Sequence, residues 1–441
     1  MTAETLYDPR APEFLDPADA RSERDRTFQI CADCRLCVKY CFSFKSLFEL
    51  IDAAQEQMGP NADHHDATLQ LTDANHERIV DECFQCKLCY INCPYTLDKP
   101  EAEWKIDFPD LMLRSLAIKA RDGKVGMNAK LLARTDLQGK VATTFSGVVN
   151  GIQKAGFARG LMEKTTGIAK SRLLPSWNKV RFSKWFARRG PSIPKGEART
   201  PVAMFPTCLV EYQNNEIGKA AVAVYEHNGI ACELPEGQVC CGMPWLDAGD
   251  TKKFAEQAEK NVNALLPAVE AGKAVVVPQA TCARCLKHDY PSFLGTEAGQ
   301  KVADSTYDVS EYLMKEHKDR PLDTDFTGET YAKILWHQPC HYQAQQIGPQ
   351  SAAVMRLTGA KVEINNRCSA IDGTWGLREE NVDMARKIAK PLMEKVAETD
   401  ADIVVGDCNL ANDAITQDGG KKPVHPMQVL ARAYGIEEDS P

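Results

Sequence analysis

The sequence predicts a multidomain α+β protein: a helical, cysteine-rich domain, a helical connector and two repeated α/β lobes. Three observations carry this. The 17 cysteines fall into three zones, 31–93, 208–285 and 340–408. The cysteine-free stretch 105–200 holds 20 Lys and Arg against 6 Asp and Glu, in a chain whose net charge is −8. The C-terminal half repeats itself, at an offset of 132 between the first cysteines of the two copies and 126 between later ones. A length of 441 residues, 44% hydrophobic and 26% charged, fits several globular domains and argues against disorder. The longest run free of Asp, Glu, Lys and Arg, Ile334–Met355, is rich in Gln and His and does not read as a membrane span. The acidic, proline-punctuated start has no signal-peptide pattern, so a cytoplasmic protein is expected. There, clustered cysteines read as metal ligands or reactive thiols.

Residues 1–28 read as an N-terminal extension and 29–104 as the first domain. It holds Cys31-x2-Cys34-x2-Cys37-x3-Cys41 and Cys83-x2-Cys86-x2-Cys89-x3-Cys93-Pro94. Two-residue gaps wrap the backbone around one corner of a cubane, and the fourth cysteine ligates the other cluster in two-cluster ferredoxins. Cys31, Cys34, Cys37 and Cys93 are therefore expected to hold one [4Fe–4S] cluster, and Cys83, Cys86, Cys89 and Cys41 a second. A pair of zinc sites, needing only two cysteine pairs each, explains this doubled pattern poorly. The 41 residues between Cys41 and Cys83 include FSFKSLFELIDAAQEQ and LTDANHERIVDE, both helical by pattern. The domain resembles the α-helical ferredoxins of respiratory iron–sulfur subunits, departing from the pattern in having Phe42 where proline usually follows the fourth cysteine. His64, His65 and His76 in this segment read mainly as solvated side chains.

Residues 105–200 read as a basic helical connector. DLMLRSLAIKA and GIQKAGFARGLMEKTTGIAK have apolar residues at helical spacing. In WNKVRFSKWFARR, Trp177, Trp185 and Phe186 alternate with Lys179, Arg181, Lys184, Arg188 and Arg189, a composition expected to dock on an anionic membrane or an acidic partner. A merely solvated charged face is the alternative. An acidic chain with no recognisable motif is not expected to bind nucleic acid.

Residues 201–320 and 321–441 are the two repeats. Each runs strand, cysteine turn, helix, short strand, cysteine-bearing turn, long helix, strand, cysteine. Such alternation implies parallel sheets with every cysteine just past a strand's C-terminal end, where open α/β sheets place ligands. The first repeat holds Cys208, Cys240-Cys241-Gly242 and Cys282-x2-Cys285. A glycine after the pair allows a tight turn in which both thiols converge. Here the chain resembles the cysteine-rich "CCG" domain of the heterodisulfide reductase B subunit, of the C subunit of anaerobic glycerol-3-phosphate dehydrogenase and of the iron–sulfur subunit of glycolate oxidase. The resemblance implies a non-cubane [4Fe–4S] cluster on Cys208, Cys240, Cys241, Cys282 and Cys285, with structural zinc as the alternative. The second repeat keeps only Cys340, Cys368 and Cys408; Ser369 and Ala411 replace the other two. Three readings stay open: a cubane completed by His341 or Asp372, a three-thiolate site for zinc or a substrate, or a vestigial site. Cys232 reads as a core residue.

The chain has no Gly-x-Gly-x-x-Gly after a strand, so no flavin or NAD site is expected in it. The resemblance implies an electron-transfer subunit passing electrons between a flavoprotein dehydrogenase and quinone or another acceptor, and the basic connector would let a cytoplasmic protein sit peripherally on the inner face of a membrane. Two rivals are a heterodisulfide reductase-like enzyme acting on a disulfide at the CCG cluster, and an electron donor to a diiron peroxidase.

Overall fold

A computed structural model describes residues 5–99, 101–190 and 194–436. The N-terminal domain is built on two long helices, Pro17–Cys34 and Phe42–Met58. The first is capped by Asp16, whose carboxylate accepts from Ala18 N and Asp19 N. It ends where Arg35 turns left-handed at φ 50°, which starts the first cysteine loop. Phe28, Phe44, Leu47, Ile51 and Ile79 form the core between them.

That core reaches past both expected boundaries. Tyr7 and Phe14 enter it from the extension, and Leu111 and Met112 enter it from the helix Phe108–Arg121, which lies within the stretch expected to be connector. Buried Arg114 on that helix donates to Phe14 O at 2.8 Å and pairs with Asp19 at 2.6 Å. The physical reason is area: tight cysteine loops bury little apolar surface, so flanking helices supply it.

The first lobe contains β1 (Arg199–Met204), β2 (Ile230–Glu233), β3 (Ala274–Val277) and β4 (Thr306–Asp308) in a parallel sheet of order β2-β1-β3-β4. The second contains β5 (Lys333–His337), β6 (Lys361–Asn365) and β7 (Ile403–Gly406), again parallel, in order β6-β5-β7. A parallel bridge from Val405 to Val424 stands where the fourth strand would continue. In each lobe the order reverses beside the first strand, the position at which α/β sheets open a crevice. Long helices, Thr251–Glu270 and Val382–Glu398, cross over between the second and third strands. Cys232 sits on β2, buried among Val202, Val224 and Ile230.

The two lobes share a core: Val202, Tyr225, Trp336 and Met427 belong to one apolar cluster. At its polar centre Asp407 accepts from Trp336 Nε1 at 2.5 Å and from Ser351 Oγ at 2.6 Å, and Ser351 reaches Ser310 of the first lobe at 3.0 Å. Buried polar groups of this kind are tolerated because each finds a partner.

What remains of the connector lies over both lobes. Asp136 accepts from Cys240 N at 2.9 Å, and Gly139 is so close to the Tyr212 ring that a Cβ would come within 2.3 Å of it. Buried Arg172 donates to Gly376 O at 2.9 Å and pairs with Asp418 at 2.7 Å. The aromatic-basic run does not form the exposed alternating surface expected of it. Phe182 is fully buried, and Trp185 and Phe186 pack on the first lobe's core. Arg189 pairs with Glu226 at 2.7 Å and covers the Phe186 ring at 4.3 Å, and Arg181 approaches Glu211. Lys179, Lys184 and Arg188 stay exposed. Helical spacing told which residues share a face but not that this face would be spent on the neighbouring lobe.

Candidate metal centres

All 17 cysteines are free thiols, and 16 of them gather around the cysteine turns. In the N-terminal domain they sort into two groups. Burial raises the Cys31 thiol, helped by the charges of Cys37, Cys93 and Cys34; Cys37 is pushed up to about 12 by burial and then by Cys93 and Cys34. The structure thus brings Cys93 to Cys31, Cys34 and Cys37. Likewise Cys86 is pushed up to about 12 by burial and then Cys41, while Cys89 is raised by burial, Cys86, Cys41 and Cys83. Cys41 therefore lies near Cys83, Cys86 and Cys89, and also near Cys368 and Cys37. The backbone bends sharply here: Gln85 and Lys87 adopt φ of 54° and 63° between the cysteines.

Crowding four thiols together gains nothing by itself, because desolvation and mutual repulsion both oppose ionisation. The same crowding becomes favourable once a multiply charged metal centre binds the thiolates. Free, converging thiols, buried at Cys89 and half-buried elsewhere, on left-handed turns thus fit an iron–sulfur centre.

In the first lobe Cys208, Cys240, Cys241, Cys282 and Cys285 come from the ends of β1, β2 and β3. Gly242 has φ 93°, and a Cβ there would meet the Phe254 ring at 2.8 Å, so only glycine makes this turn. The thiols are in mutual contact: hydrogen bonding with Cys240 raises Cys208, and Cys241 exchanges hydrogen bonds with Cys240, Cys282 and Cys285. Buried Asn261 holds the turn, accepting from Val239 N at 2.8 Å and donating to Cys240 O at 3.1 Å.

The second lobe distributes its three cysteines. Burial raises Cys340, and then Cys86, Asp372, Cys368 and Cys408 do, so it stands beside Cys86 of the ferredoxin-type domain and the other cysteines of its own lobe. Cys368 is pushed up to about 12 by burial and then Cys86. Cys408 faces Gln279 of the first lobe. His341 turns both ring nitrogens to protein groups, at 3.0 Å from Thr281 Oγ1 and 3.0 Å from Gln85 O. Asp372 is half-buried, its carboxyl held well up by desolvation and by Asp247.

A cavity of about 340 Å³ lies between the lobes, lined by Cys208, Cys240, Cys241 and Cys282 from one and by Cys340, Ser369 and Cys408 from the other. Connector residues Gln138, Gln153 and Met162 close it. Sequence reasoning missed this shared cavity, and it missed Asp136, Gln279 and Thr281, which have no motif. His64 and His65 both direct Nε2 to Asp33, at 2.5 and 2.9 Å; His76 is buried, stacked on Phe28 and lowered to about 3 by burial.

Comparison with known proteins agrees with this geometry. Residues 30–98 match the family model of a 4Fe-4S dicluster domain, and residues 202–287 and 334–410 each match that of a cysteine-rich domain. The chain is therefore an iron–sulfur protein combining a dicluster domain with two cysteine-rich domains. It is homologous to the C subunit of anaerobic glycerol-3-phosphate dehydrogenase from Escherichia coli (strain K12), with 28% identity over 309 residues, covering 69% of this chain and 76% of the relative. It is also homologous to lactate utilization protein A of Bacillus subtilis (strain 168), 25% identical over 246 residues, covering 52% of this chain and 98% of the relative.

Proposed function

We propose that this chain is the electron-transfer subunit of an oxidoreductase. It takes electrons from a partner flavoprotein dehydrogenase and delivers them to quinone or another acceptor in the inter-lobe cavity. Bound [4Fe–4S] centres supply one-electron storage. Two cubanes are assigned to the crossed cysteine groups, a non-cubane cluster to the five cysteines of the first lobe, and a further cluster or zinc to Cys340, Cys368 and Cys408.

The observation that supports this reading is the continuity of the cysteine groups. Gln85, between Cys83 and Cys86, touches His341, and His341 touches Thr281, the neighbour of Cys282. Charged side chains at this junction are paired: Lys87 is buried with Asp110 at 2.8 Å, and Arg284 is held by Asp289 at 2.7 Å. Purification of the complex from the native host, with flavin and diiron assays on whatever accompanies the chain, tests the proposal. A flavin-containing partner that reduces the chain is expected; a diiron partner with no flavin would replace this reading with peroxidase donation.

The cavity supports a second reading, disulfide reduction within this chain. Its wall carries the first lobe's cysteines directly. Turnover of a disulfide by the isolated, chemically reduced chain would favour it.

A further inference from the structure

The three connector helices Thr135–Thr144, Ser146–Lys154 and Gly156–Thr166 leave one face uncovered. Among the described residues, eight of the fifteen exposed large apolar side chains fall between Leu131 and Leu161, Phe157 being 89% exposed, Val148 64% and Phe145 61%. They are not scattered. Leu137, Val141, Phe145, Val148 and Ile152 follow one another at steps of three or four, a continuous stripe along the outside of the first two helices. The opposite face of the same helices is occupied: Gly139 lies on Tyr212, and Gln138, Gln153 and Met162 line the cavity. An apolar stripe this concentrated on a soluble surface marks an interaction site.

Charge identifies what covers it. Between Asp122 and Glu197 the sequence has only two acids, Asp136 and Glu163. Both are engaged: Asp136 accepts from Cys240 N, and Glu163 accepts from Lys170 N at 2.7 Å and faces the Lys170 ammonium at 3.7 Å. On the same helices and the turns beside them Arg134, Lys140, Lys164 and Lys170 are exposed. The residues outside 105–200 are strongly acidic by difference, so an anionic surface attracts this face and repels the rest of the molecule.

We infer that residues 131–161 are a membrane-docking element: a short amphipathic helical array that lies in the headgroup region of an anionic bilayer, with the inter-lobe cavity behind it. Among the described residues no helix is long and apolar enough to cross a membrane, and an array lying in the interface needs none. The docking stands on the exposed stripe and the charge around it. Its use, bringing a membrane-dissolved acceptor to the cavity, rests on the electron-transfer reading above.

The test is flotation of the full-length, cluster-loaded protein with vesicles containing phosphatidylglycerol or made of phosphatidylcholine only. The wild type is expected to float with the anionic vesicles and to be released by salt. Phe145→Ser, Val148→Ser and Phe157→Ser combined should weaken this by about a hundredfold, since three inserted side chains are lost. Arg134→Gln, Lys140→Gln, Lys164→Gln and Lys170→Gln combined should remove the preference for anionic lipid. All seven side chains are exposed, so the cluster absorbance should be unaltered in both variants. Phe145→Trp should be quenched by brominated lipid, which only insertion produces. A wild type that ignores anionic vesicles, or a serine variant that binds them equally, would overturn the inference. So would a serine variant that loses the partner dehydrogenase while the wild type fails to float, which would make the stripe a protein interface. None of these outcomes touches the electron-transfer reading, which is judged in solution by reduction of the chain by its partner.

Discussion

The imidazole of His341 lies 3.0 Å from the main-chain carbonyl of Gln85, 256 positions earlier in the chain. A carbonyl only accepts, so Nε2 must carry the hydrogen and Nδ1 must accept from the Thr281 hydroxyl. Burial lowers the ring to about 4, which keeps it neutral and able to make both bonds. One residue thereby joins the dicluster domain to both lobes.

Replacing His341 with Leu should leave the Gln85 carbonyl unsatisfied in a buried junction. The expected cost is about 2 kcal/mol, the usual penalty for stranding a buried polar group. Hydrogen exchange at residues 83–89 should quicken while iron content is unchanged. Loss of iron in this variant would instead make His341 a ligand.

The crossed cysteine groups can be separated by single changes. Cys93→Ser should remove the centre of Cys31, Cys34 and Cys37, and Cys41→Ser that of Cys83, Cys86 and Cys89, each a loss of about four irons. Iron quantitation with electron paramagnetic resonance of the reduced protein reads this out. If Cys93→Ser disturbs the Cys83 group instead, the crossover is absent.

In the first lobe Cys208 neighbours Cys240, Cys240 neighbours Cys241, and Cys241 neighbours Cys282 and Cys285, whereas Cys408 lies across the cavity. Cys241→Ala is expected to remove iron from the first lobe and destabilise residues 200–320, because thiolate–metal bonds contribute to folding. Cys408→Ala should leave that iron in place. Identical losses from both substitutions would mean that the lobes share one centre.

His425 gives a pH prediction remote from the cysteines. It caps the helix Pro426–Ala433, accepting from Met427 N at 3.2 Å, and burial lowers it to about 3. The unfolded chain binds this proton near pH 6.5 and the folded chain does not, so stability is full above that value and falls as the pH drops. Between pH 7.5 and 5 this one group should cost about 2 kcal/mol. His425→Asn, which can still cap, should remove that share of the acid sensitivity in urea unfolding.

Arg172 secures the connector to the second lobe. Its side chain is 2% exposed and bridges Gly376 O and Asp418. Arg172→Met should cost about 3 kcal/mol, since a buried pair is broken from one side. Limited proteolysis between residues 140 and 175 should accelerate accordingly.

What was legible in the amino-acid order is local. Cysteine spacing set which thiols lie on one turn, Gly242 announced the left-handed turn after Cys240 and Cys241, and the repeat implied two parallel sheets with cysteines past the strand ends. These depend on backbone geometry over a few residues. Tertiary structure decided what depends on the far side of a contact. That Phe108–Arg121 completes the ferredoxin-type core, that Trp185 and Phe186 pack against a lobe while Phe145 and Phe157 are exposed, and that Cys208 and Cys408 face one cavity were not legible. An amphipathic pattern fixes which residues share a face. Only the packing of elements distant in the chain decides whether that face meets protein or is left for another surface.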